Sequence, residues 1–448
     1  MVSCTEAFRA SLFHFRNNAE SGILPPCEYI EDGLVLVENG RIREVGTFQE
    51  IGKNLNPGIR LTDYSGRIIM PGFVDCHVHY VQTGMIASHG KDLLDWLHRY
   101  TYPEELKFTD KTICLKTASF FFDELLRNGT TTSLVLPTVH EQSVHALFEE
   151  AEKRDIRIVS GKILMDRNAP EGLLDSVEQG YRESSRIIEK WHGKGRATCA
   201  DIPRFALTSS DRQLDAAASL LKETPGLLFH THLSENRKEV DSVARHFPWS
   251  TSYFDVYDHF GLSGKTSSFA HCIHVSEQDL NRLSDTKSSV VHCPTSNLFL
   301  GSGIFDMERM IHHRIKTGLG TDVGAGTSFS MFKTMAEAYK LSQLNGCSLT
   351  PSHLFYMATL GGADILGLSD KIGSLEKGKE ADFIVVNPSF LPILDNRVRH
   401  AGSLEEVLFA LMILGDDRVI ERCFTAGIDR TPPPFRLSDP DIGQHGTK

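Results

Sequence analysis

Histidines occur in pairs within apolar, strand-like stretches, and the first pair lies in Asp75-Cys76-His77-Val78-His79. Because side chains at positions i and i+2 of a strand point to the same face, His77 and His79 share one face, and Cys76 and Val78 point the other way. Two neutral imidazoles that converge on one point form a metal-ligand pair. The alternative is a pair of core histidines bonded to backbone carbonyls, and H-x-H at a strand end favours the metal pair.

A second pair lies in the sequence HTHLSE at residues 230–235. His230 and His232 again share a face, and His232, nearer the carboxyl end of the strand, should reach the same point as the first pair. His230 lies one layer deeper, where we expect a packed residue or one that supports a ligand. Glu235 follows the strand and can reach over a ligand, although in isolation a solvated loop carboxylate would be the better interpretation.

Two further polar residues end apolar stretches. Asp322 follows GLGT at residues 318–321, where a carboxylate is costly unless it is paired or bound to a metal. The alternative for Asp322 is a helix N-cap. His271 ends another such stretch, and a structural histidine bonded to a neighbouring loop is as compatible with the sequence as a place in the site.

Together these residues define a candidate metal site. The set offers three nitrogens and one oxygen, from His77, His79, His232 and Asp322. With water, such a set forms an open site suited to zinc. Iron is a rival, because ligand type alone does not fix the metal. A bound divalent ion lowers the pKa of its water toward about 7 and so creates hydroxide at neutral pH. Hydrolysis is therefore the predicted chemistry.

Other catalytic signatures are absent from the sequence. Residues 140–145 read HEQSVH, one residue longer than the zinc-binding HExxH helix. Residues 264–266 read GKT, but the glycine that a phosphate-binding loop needs five positions upstream is His259. The chain also has no GxSxG elbow, no GxGxxG fingerprint and no HxE…PCxxC signature of the cytidine-type deaminases.

Strand-like runs alternate with amphipathic helical patterns through the centre of the chain. The eight runs predict an α/β fold with a closed (β/α)8 barrel, in which active sites lie at the carboxyl ends of the strands. The polar residues described above lie at those ends. The predicted strands cover Ile68–His79, Thr130–Thr138, Ile156–Asp166, Ala197–Leu207, Leu227–Glu235, Ser267–His274, Ser288–Asn297 and Lys316–Gly326.

The two flanks predict a second, smaller domain of β-structure. Residues 34–46 have a hairpin pattern with Asn39-Gly40 at the turn. Residues 372–387 resemble another hairpin, and we expect both flanks to join in one small domain beside the barrel. The predicted boundaries are 1–70 and 371–430 for the two parts of that domain, 71–370 for the barrel and 431–448 for a flexible tail.

Composition excludes several classes of protein. The chain has 448 residues, of which 40% are hydrophobic and 23% charged, as in globular proteins. A net charge of −11 argues against a nucleic-acid binder. The longest apolar run, Val407–Leu414, is far too short to span a membrane, and no signal peptide is expected. The nine cysteines are scattered without a CxxC pair, which indicates reduced thiols in a cytoplasmic protein.

Several segments resemble the amidohydrolase superfamily and, more closely, its guanine-deaminating branch. The H-x-H and Asp motifs mark the superfamily, whereas HVHYVQ, PRFALTSS and HCPTSNLFLGSG are more specific to the branch. The likeness runs from about residue 34 to about residue 425. The segments that carry it are PGFVDCHVHYVQ, DLLDWLHRYTYP, LLRNGTTTSLV, PRFALTSS, HTHLSEN, HCPTSNLFLGSG, GLGTDVGAGTSFSM and LEKGKEADFIVV.

This resemblance implies a metal-dependent barrel with a β-sandwich built from both termini. It implies a homodimer that hydrolyses guanine to xanthine and ammonia in purine catabolism. A metal-bound hydroxide would attack C2 of the purine. One metal is expected, because the superfamily's bridging lysine for a second ion has no clear counterpart at the end of the fourth strand. The implied zinc ligands are His77, His79, His232 and Asp322.

The resemblance also implies roles for individual residues. Glu235 would be the proton shuttle that protonates a ring nitrogen. Asp322 would take the water proton and pass it toward the leaving amine. His271 would lie beside the metal-bound water. The implied purine-binding residues are Gln82, Arg204 and Phe205, together with His232, His271 and Asp322.

The purine-binding residues also suit the substrate chemically. Arg204 offers a planar fork of donors for the O6 edge, and Gln82 can both donate to and accept from an amide-like edge. For Arg204 the alternative is a salt bridge at the surface or between domains. Phe205 and Trp96 are candidates to pack on the purine face, and ordinary core aromatics are their alternative.

Two other functions stay open at this point. The first is a related aminohydrolase acting on 8-oxoguanine, an s-triazine or a nucleoside-derived purine, because barrel loops decide specificity. The second is a non-catalytic scaffold that uses the barrel to bind partners. Such a scaffold should have lost metal ligands or the shuttle glutamate, and all of these are present.

Overall fold

The computed structural model describes residues 5–16 and 24–434. In chain order its strands are β1 (Thr5–Phe15), β2 (Cys27–Glu38), β3 (Arg41–Thr47), β4 (Arg60–Pro71), β5 (Phe73–His79), β6 (Thr130–Leu136), β7 (Arg157–Ser160), β8 (Ile163–Leu164), β9 (Ala197–Pro203), β10 (Leu228–Leu233), β11 (Ser267–His271), β12 (Ser289–His292), β13 (Thr317–Leu319), β14 (Phe383–Val386), β15 (Ile420–Thr425) and β16 (Ile428–Asp429).

The α-helices lie mostly between the barrel strands and after the last of them. They are α1 (Phe48–Ile51), α2 (Leu93–Trp96), α3 (Tyr102–Glu105), α4 (Lys111–Arg127), α5 (Glu141–Lys153), α6 (Val177–Trp191), α7 (Asp211–Glu223), α8 (Arg237–His246), α9 (Tyr253–His259), α10 (Glu277–Thr286), α11 (Pro294–Phe299), α12 (Met307–His312), α13 (Met331–Leu344), α14 (Pro351–Met357), α15 (Leu360–Ile365), α16 (Pro392–Arg399) and α17 (Leu404–Leu414).

The barrel is formed by β5, β6, β7, β9, β10, β11, β12 and β13, which run parallel to their neighbours in that order. It closes where the Asp322 amide donates to the His77 carbonyl and the His79 amide to the Val323 carbonyl, each at 2.8 Å. Parallel strands bring their carboxyl ends to one mouth. The predicted (β/α)8 barrel is therefore confirmed, with β8 as a short addition paired to β9.

Helix α4 shows how the outer layer forms. The Asp110 side chain accepts from the Thr112 amide and so caps the first turn. Its buried residues recur at helical spacing and face the barrel, which gives the helix one apolar side. They are Cys114, Ala118, Phe121, Phe122, Leu125 and Leu126.

The first predicted strand, Ile68–His79, is divided between the two sheets. Strand β4 ends at Pro71, and β5 begins at Phe73. The backbone turns from one sheet to the other at Gly72, whose amide donates to the Asp382 carbonyl. A Cβ at Gly72 would lie 2.1 Å from the Thr131 hydroxyl oxygen, so the junction leaves no room for a side chain.

Both flanks meet in a seven-stranded mixed sheet with the order β16-β15-β14-β4-β1-β2-β3. The turn and start of β3 also contact the segment that precedes β14, where the Ile42 amide donates to the Lys379 carbonyl (2.8 Å) and the Ala381 amide to the Gly40 carbonyl (2.9 Å). The sheet encloses an aromatic core in which Phe8 packs edge-on against Phe383 and against Phe424. The predicted second β-structure from both flanks is confirmed.

One of the two predicted hairpins forms. Strands β2 and β3 pair antiparallel across Asn39-Gly40, whose φ angles of 52° and 78° suit a tight turn. The predicted hairpin at residues 372–387 is wrong, because that stretch contains a single strand, β14, which pairs with β4 and β15. All four residues of β14 are buried, as in a central strand. Residues 435–448 of the predicted tail lie outside the described residues.

A buried ion-pair network joins the barrel to the mixed sheet. Arg157 donates through two nitrogens to Glu380 at 2.9 and 2.5 Å. Arg196 also pairs with Glu380, at 2.8 Å, and with Asp382. Buried charges of this kind need every partner, since removing one leaves an uncompensated charge. In the described residues, no helix has the length and apolar character needed to cross a membrane.

We expect Arg157→Ala to lower the free energy of unfolding by about 3 kcal/mol. The variant removes both hydrogen bonds from Arg157 to the buried Glu380 carboxylate and leaves its charge only partly compensated. Urea unfolding followed by circular dichroism measures this loss. Arg186→Ala is the control, since its pair with Glu141 (2.8 Å) is at the surface and should be worth less than about 1 kcal/mol. Equal losses in the two variants would contradict the interpretation.

Candidate active site at the barrel mouth

Four predicted ligands meet at the carboxyl end of the barrel. His77, His79 and His232 offer nitrogens that all lie within 4.8 Å of one another. The Asp322 Oδ1 lies 3.2 Å from the His77 Nε2 and 3.4 Å from the His79 Nε2. Residues that are up to 245 positions apart in sequence thus converge on one point. The arrangement could hold a metal ion.

Two of the histidines are oriented by bonds to their Nδ1 atoms. The His77 Nδ1 lies 2.6 Å from the His230 Nε2, and the His232 Nδ1 lies 2.7 Å from the Arg204 carbonyl oxygen. Such bonds fix the ring and leave Nε2 for a metal. His230 is itself bonded to Ser268 at 2.7 Å, one layer below the mouth. This is the deeper, supporting position that the strand alternation predicts.

Burial controls the charges of these groups. It lowers the pKa of His77 to about 4 and also lowers the pKa values of His79 and His232. Burial opposes ionisation of Asp322 as well, but its contacts with His77 and His79 hold the pKa of that carboxyl well below its ordinary value. Neutral nitrogens and an ionised oxygen are the donors that a divalent cation such as zinc takes.

Cys293 joins the same cluster and was missed by the sequence analysis. Its sulfur lies within 4.8 Å of ligand atoms on His77, His271 and Asp322. Burial raises the pKa of the Cys293 thiol well above its ordinary value. Its position one residue after β12, at the end of a barrel strand, was the sequence feature that could have identified it.

Glu235 lies beside the metal-ligand cluster. Its Oε1 accepts from the Ser302 hydroxyl at 3.2 Å, and its Oε2 lies 3.6 Å from the His271 Nε2. Burial raises the pKa of Glu235 to about 7, and the nearby His271 opposes part of the rise. A carboxyl group that titrates near neutral pH is suited to both give and take a proton.

His271 stands between the two carboxylates. Its Nδ1 lies 2.9 Å from the Asn297 side-chain oxygen, and its Nε2 lies 3.8 Å from the Asp322 Oδ2. Burial acts against the charged imidazole, but the carboxylates of Glu235 and Asp322 outweigh it and raise the pKa of His271. The His271 Nε2 is buried without a hydrogen-bond partner among the described residues, so it is available to a ligand.

The loop that carries Glu235 is fixed by a buried carboxylate. The amides of Glu235 and Asn236 both donate to the Glu239 Oε2 at 3.0 Å. The Tyr253 hydroxyl donates to the other oxygen of Glu239 at 2.6 Å. Glu239 thus caps the start of α8 and holds the backbone beside the shuttle residue in one conformation.

Four non-glycine residues at the strand ends around the mouth have left-handed backbone conformations: Ser234 at φ 51°, His271 at φ 72°, Cys272 at φ 51° and Asp322 at φ 50°. Side chains disfavour this region, so such residues persist only where their surroundings enforce it. The Ser234 carbonyl accepts from the Ile273 amide at 3.1 Å, and the Asp322 amide donates to the His77 carbonyl. The strain coincides with residues that carry or adjoin the candidate chemistry.

A partly open cleft lies beside the cluster, and both apolar and polar side chains line it, as in sites for small molecules. Five of the six predicted purine-binding residues line it, and Trp96 lies on an apolar wall. The sixth, His271, is not among the lining residues. The lining residues are His79, Gln82, Leu93, Trp96, Leu97, Arg204, Phe205, His232, Glu235, Leu300, Asp322 and Ala325.

Arg204 is neither at the surface nor in a salt bridge between domains. It is buried and donates through Nη1 to both oxygens of Glu105 at 2.8 Å. The Gln82 Nε2 also donates to Glu105, at 3.1 Å. The sequence analysis missed Glu105, which follows another acidic residue, Glu104, on a helix of only four residues. So short a helix has no periodic pattern that would mark which of the two is buried.

Comparison with known proteins agrees with this geometry. The chain matches the Amidohydrolase family over residues 68–427 and belongs to that family. It is 47% identical to guanine deaminase of Escherichia coli (strain K12) over 399 residues, which are 89% of this chain and 91% of that protein. The solved E. coli guanine deaminase has a TM-score of 0.92 and 45% identity, covering 95% of this chain and 99% of its own. Guanine deaminase from C. acetobutylicum, with bound guanine in the active site, has a TM-score of 0.86 and 32% identity, covering 95% and 99%.

Proposed function

We propose that this protein is a guanine deaminase, which hydrolyses guanine to xanthine and ammonia. The observation that carries the proposal is that Glu235 and the buried pair Arg204 and Gln82 lie in one cleft beside three clustered histidines and Asp322, which contacts two of them. Its relatives named guanine deaminase cover nearly the whole chain.

A single divalent cation is part of this proposal. His77, His79 and His232 would bind it through nitrogen and Asp322 through oxygen, and the convergence and charge state of these donors fit zinc, with Fe²⁺ as the alternative. When bound, such an ion supplies water activated for attack near neutral pH. Cys293 is left out of this ligand set because its sulfur clusters with His77, His271 and Asp322 and not with His79 and His232.

The side chains around the cleft supply the remaining functions. Arg204 would donate to the O6 of guanine, and Phe205 and Trp96 would pack against the ring. Glu235 would place a proton on a ring nitrogen, so that negative charge does not accumulate when C2 is attacked. Asp322 would take the proton of the attacking water and pass it toward the departing amine. Each transfer is worth about 10² to 10⁴ in rate.

Guanine turnover and metal content, measured on the same sample, test the proposal. We expect xanthine by ultraviolet absorbance, an equal amount of ammonia and one ion per chain. The panel includes 8-oxoguanine, an s-triazine and guanosine as competing substrates. Metal-loaded protein that does not convert guanine but converts another of these compounds would overturn the proposal. Protein without a stoichiometric ion would point to a binding scaffold.

Ser302 gives a pH-dependent prediction. Its hydroxyl donates to the Glu235 carboxylate and so favours the ionised form. As an acid, Glu235 is active below its pKa of about 7, and kcat/KM should fall as the pH rises through that value. Ser302→Ala removes the bond and should shift the pH at which kcat/KM falls upward by about one unit. One pH unit corresponds to about 1.4 kcal/mol, the scale of one hydrogen bond to a charged group. If the fall of kcat/KM stays at the same pH or shifts to lower pH, the proposed effect of Ser302 on Glu235 is refuted.

The setting of the enzyme is also proposed. A cytoplasmic homodimer that serves purine catabolism follows from the family resemblance, and the described cysteines are all free, as in a reducing compartment. Light scattering tests the dimer. The domain boundaries at residues 70, 370 and 430 stay a prediction, which limited proteolysis can check.

A further inference from the structure

Glu105 is a buried carboxylate that contacts two residues of the cleft at once. Its side chain is 0% exposed, and that of its partner Arg204 is 4% exposed. One guanidinium nitrogen, Nη1, bonds both oxygens of Glu105, and the Gln82 amide nitrogen bonds one of them. An ionised carboxylate is costly to bury unless its partners are in place. The three side chains therefore form one polar unit at the wall of the cleft.

Glu105 decides how Gln82 is oriented. An ionised carboxylate only accepts hydrogen bonds, so the Gln82 Nε2, which only donates, must face it. The opposite end of the amide is fixed as well, because the Gln82 Oε1 accepts from the Gly324 amide at 3.3 Å. The carboxamide is thus held from both ends, and the Gln82 oxygen is directed away from Glu105.

Glu105 also decides which atoms of Arg204 remain for a ligand. The guanidinium uses Nη1 for the ion pair, and its Nη2 and Nε make no hydrogen bond to the described residues. These nitrogens can only donate. Arg204 therefore offers donors alone to a molecule in the cleft. A purine with a carbonyl oxygen at C6 satisfies them, whereas a 6-amino group opposes donor to donor and leaves buried groups unpaired.

We propose that Glu105 is a positioning residue that makes the enzyme specific for 6-oxo purines over 6-amino purines, by holding Arg204 with its remaining donors available to the cleft and by fixing the orientation of the Gln82 amide. The inference rests on the proposed guanine deaminase function. Glu105 acts through Arg204 and Gln82 and takes no part in the chemical step. Its removal should therefore change binding and selectivity more than turnover.

The test uses Glu105→Gln, which keeps the shape of the side chain and removes its charge. We expect the KM for guanine to rise about 100-fold while kcat falls less than about fivefold, since bonds to charged groups contribute on this scale. Hypoxanthine and adenine, which lack the 2-amino group, serve as competitive inhibitors. The inhibition constant of hypoxanthine should rise about 100-fold and that of adenine less than about threefold.

Two further variants separate positioning from folding. Glu150→Gln is the matched control, because Glu150 is a buried carboxylate bonded to Arg154 at 2.6 Å on α5, away from the cleft. Its kinetics should stay within about twofold of the wild type. Glu105→Asp keeps the charge and should recover most of the preference for hypoxanthine over adenine. If Glu105→Gln does not fold, the preference measured for Glu105→Asp tests the role of Glu105 in its place.

The outcomes distinguish the two proposals. A wild-type protein that binds metal but leaves guanine unchanged overturns the proposed function. A wild-type protein that converts guanine, with a Glu105→Gln variant that keeps the wild-type ratio of hypoxanthine to adenine inhibition, overturns the role of Glu105 alone. A loss of kcat with unchanged KM also overturns it, because that pattern would place Glu105 in the chemical step.

Discussion

Replacing Glu235 with glutamine should lower kcat for guanine by about 10³- to 10⁴-fold and change KM by less than about threefold. The amide has the same shape and can still accept from Ser302, but it cannot deliver a proton. Burial raises the pKa of Glu235 to about 7, so the group is poised for transfer at the pH where the enzyme would work. General acid–base groups contribute on this scale. Steady-state kinetics with xanthine absorbance measure the loss.

The metal content of the Glu235→Gln protein should stay at that of the wild type, because Glu235 is not among the four proposed donors. Glu178→Gln, an exposed carboxylate paired with Arg212, controls for the change of charge and should retain full activity. A Glu235→Gln protein with more than one tenth of wild-type kcat would show that another group carries the proton. A protein that has lost its metal would instead place Glu235 in the cation site.

The local part of this site could be predicted from sequence. Strand alternation has a period of two, so neighbouring residues alone place His77 with His79 and set His230 one layer below His232. Asp322 required only the observation that a charged residue ends an apolar strand. The alternation of strands and helices then predicted a common mouth, because parallel strands end on the same side of a barrel.

The contacts that organise the cleft could not be predicted in this way. Glu105 meets Arg204 across 99 residues and Ser302 meets Glu235 across 67, and neither pair leaves a periodic trace in the sequence. The wrong hairpin at residues 372–387 has a similar cause. Its strand finds partners in β4 and β15, which are distant in the chain, rather than in its own neighbours.

Replacing His232 with alanine should remove the bound cation and with it nearly all activity. His232 is one of three histidines whose nitrogens lie within 4.8 Å of one another, and the Arg204 carbonyl leaves only its Nε2 free for a metal. Three donors would remain in the variant, and the affinity for zinc should fall so far that purified protein holds less than about 0.1 ion per chain. A ligand that binds only the folded state also stabilises it, so added zinc should raise the Tm of the wild type and not that of the variant.

His230→Ala and His246→Ala are the comparison variants for His232→Ala, with an intermediate effect and no effect expected, respectively. His230 supports His77 through a 2.6 Å contact without reaching the mouth, and loss of such support typically costs about 10- to 100-fold in metal affinity or activity. His246 is exposed at the end of α8 and should change neither property. The order expected for zinc affinity is therefore His246→Ala, then His230→Ala, then His232→Ala. If His232→Ala kept one ion per chain and wild-type turnover, four side chains from three parts of the chain would not share one cation, and the proposed chemistry would fail.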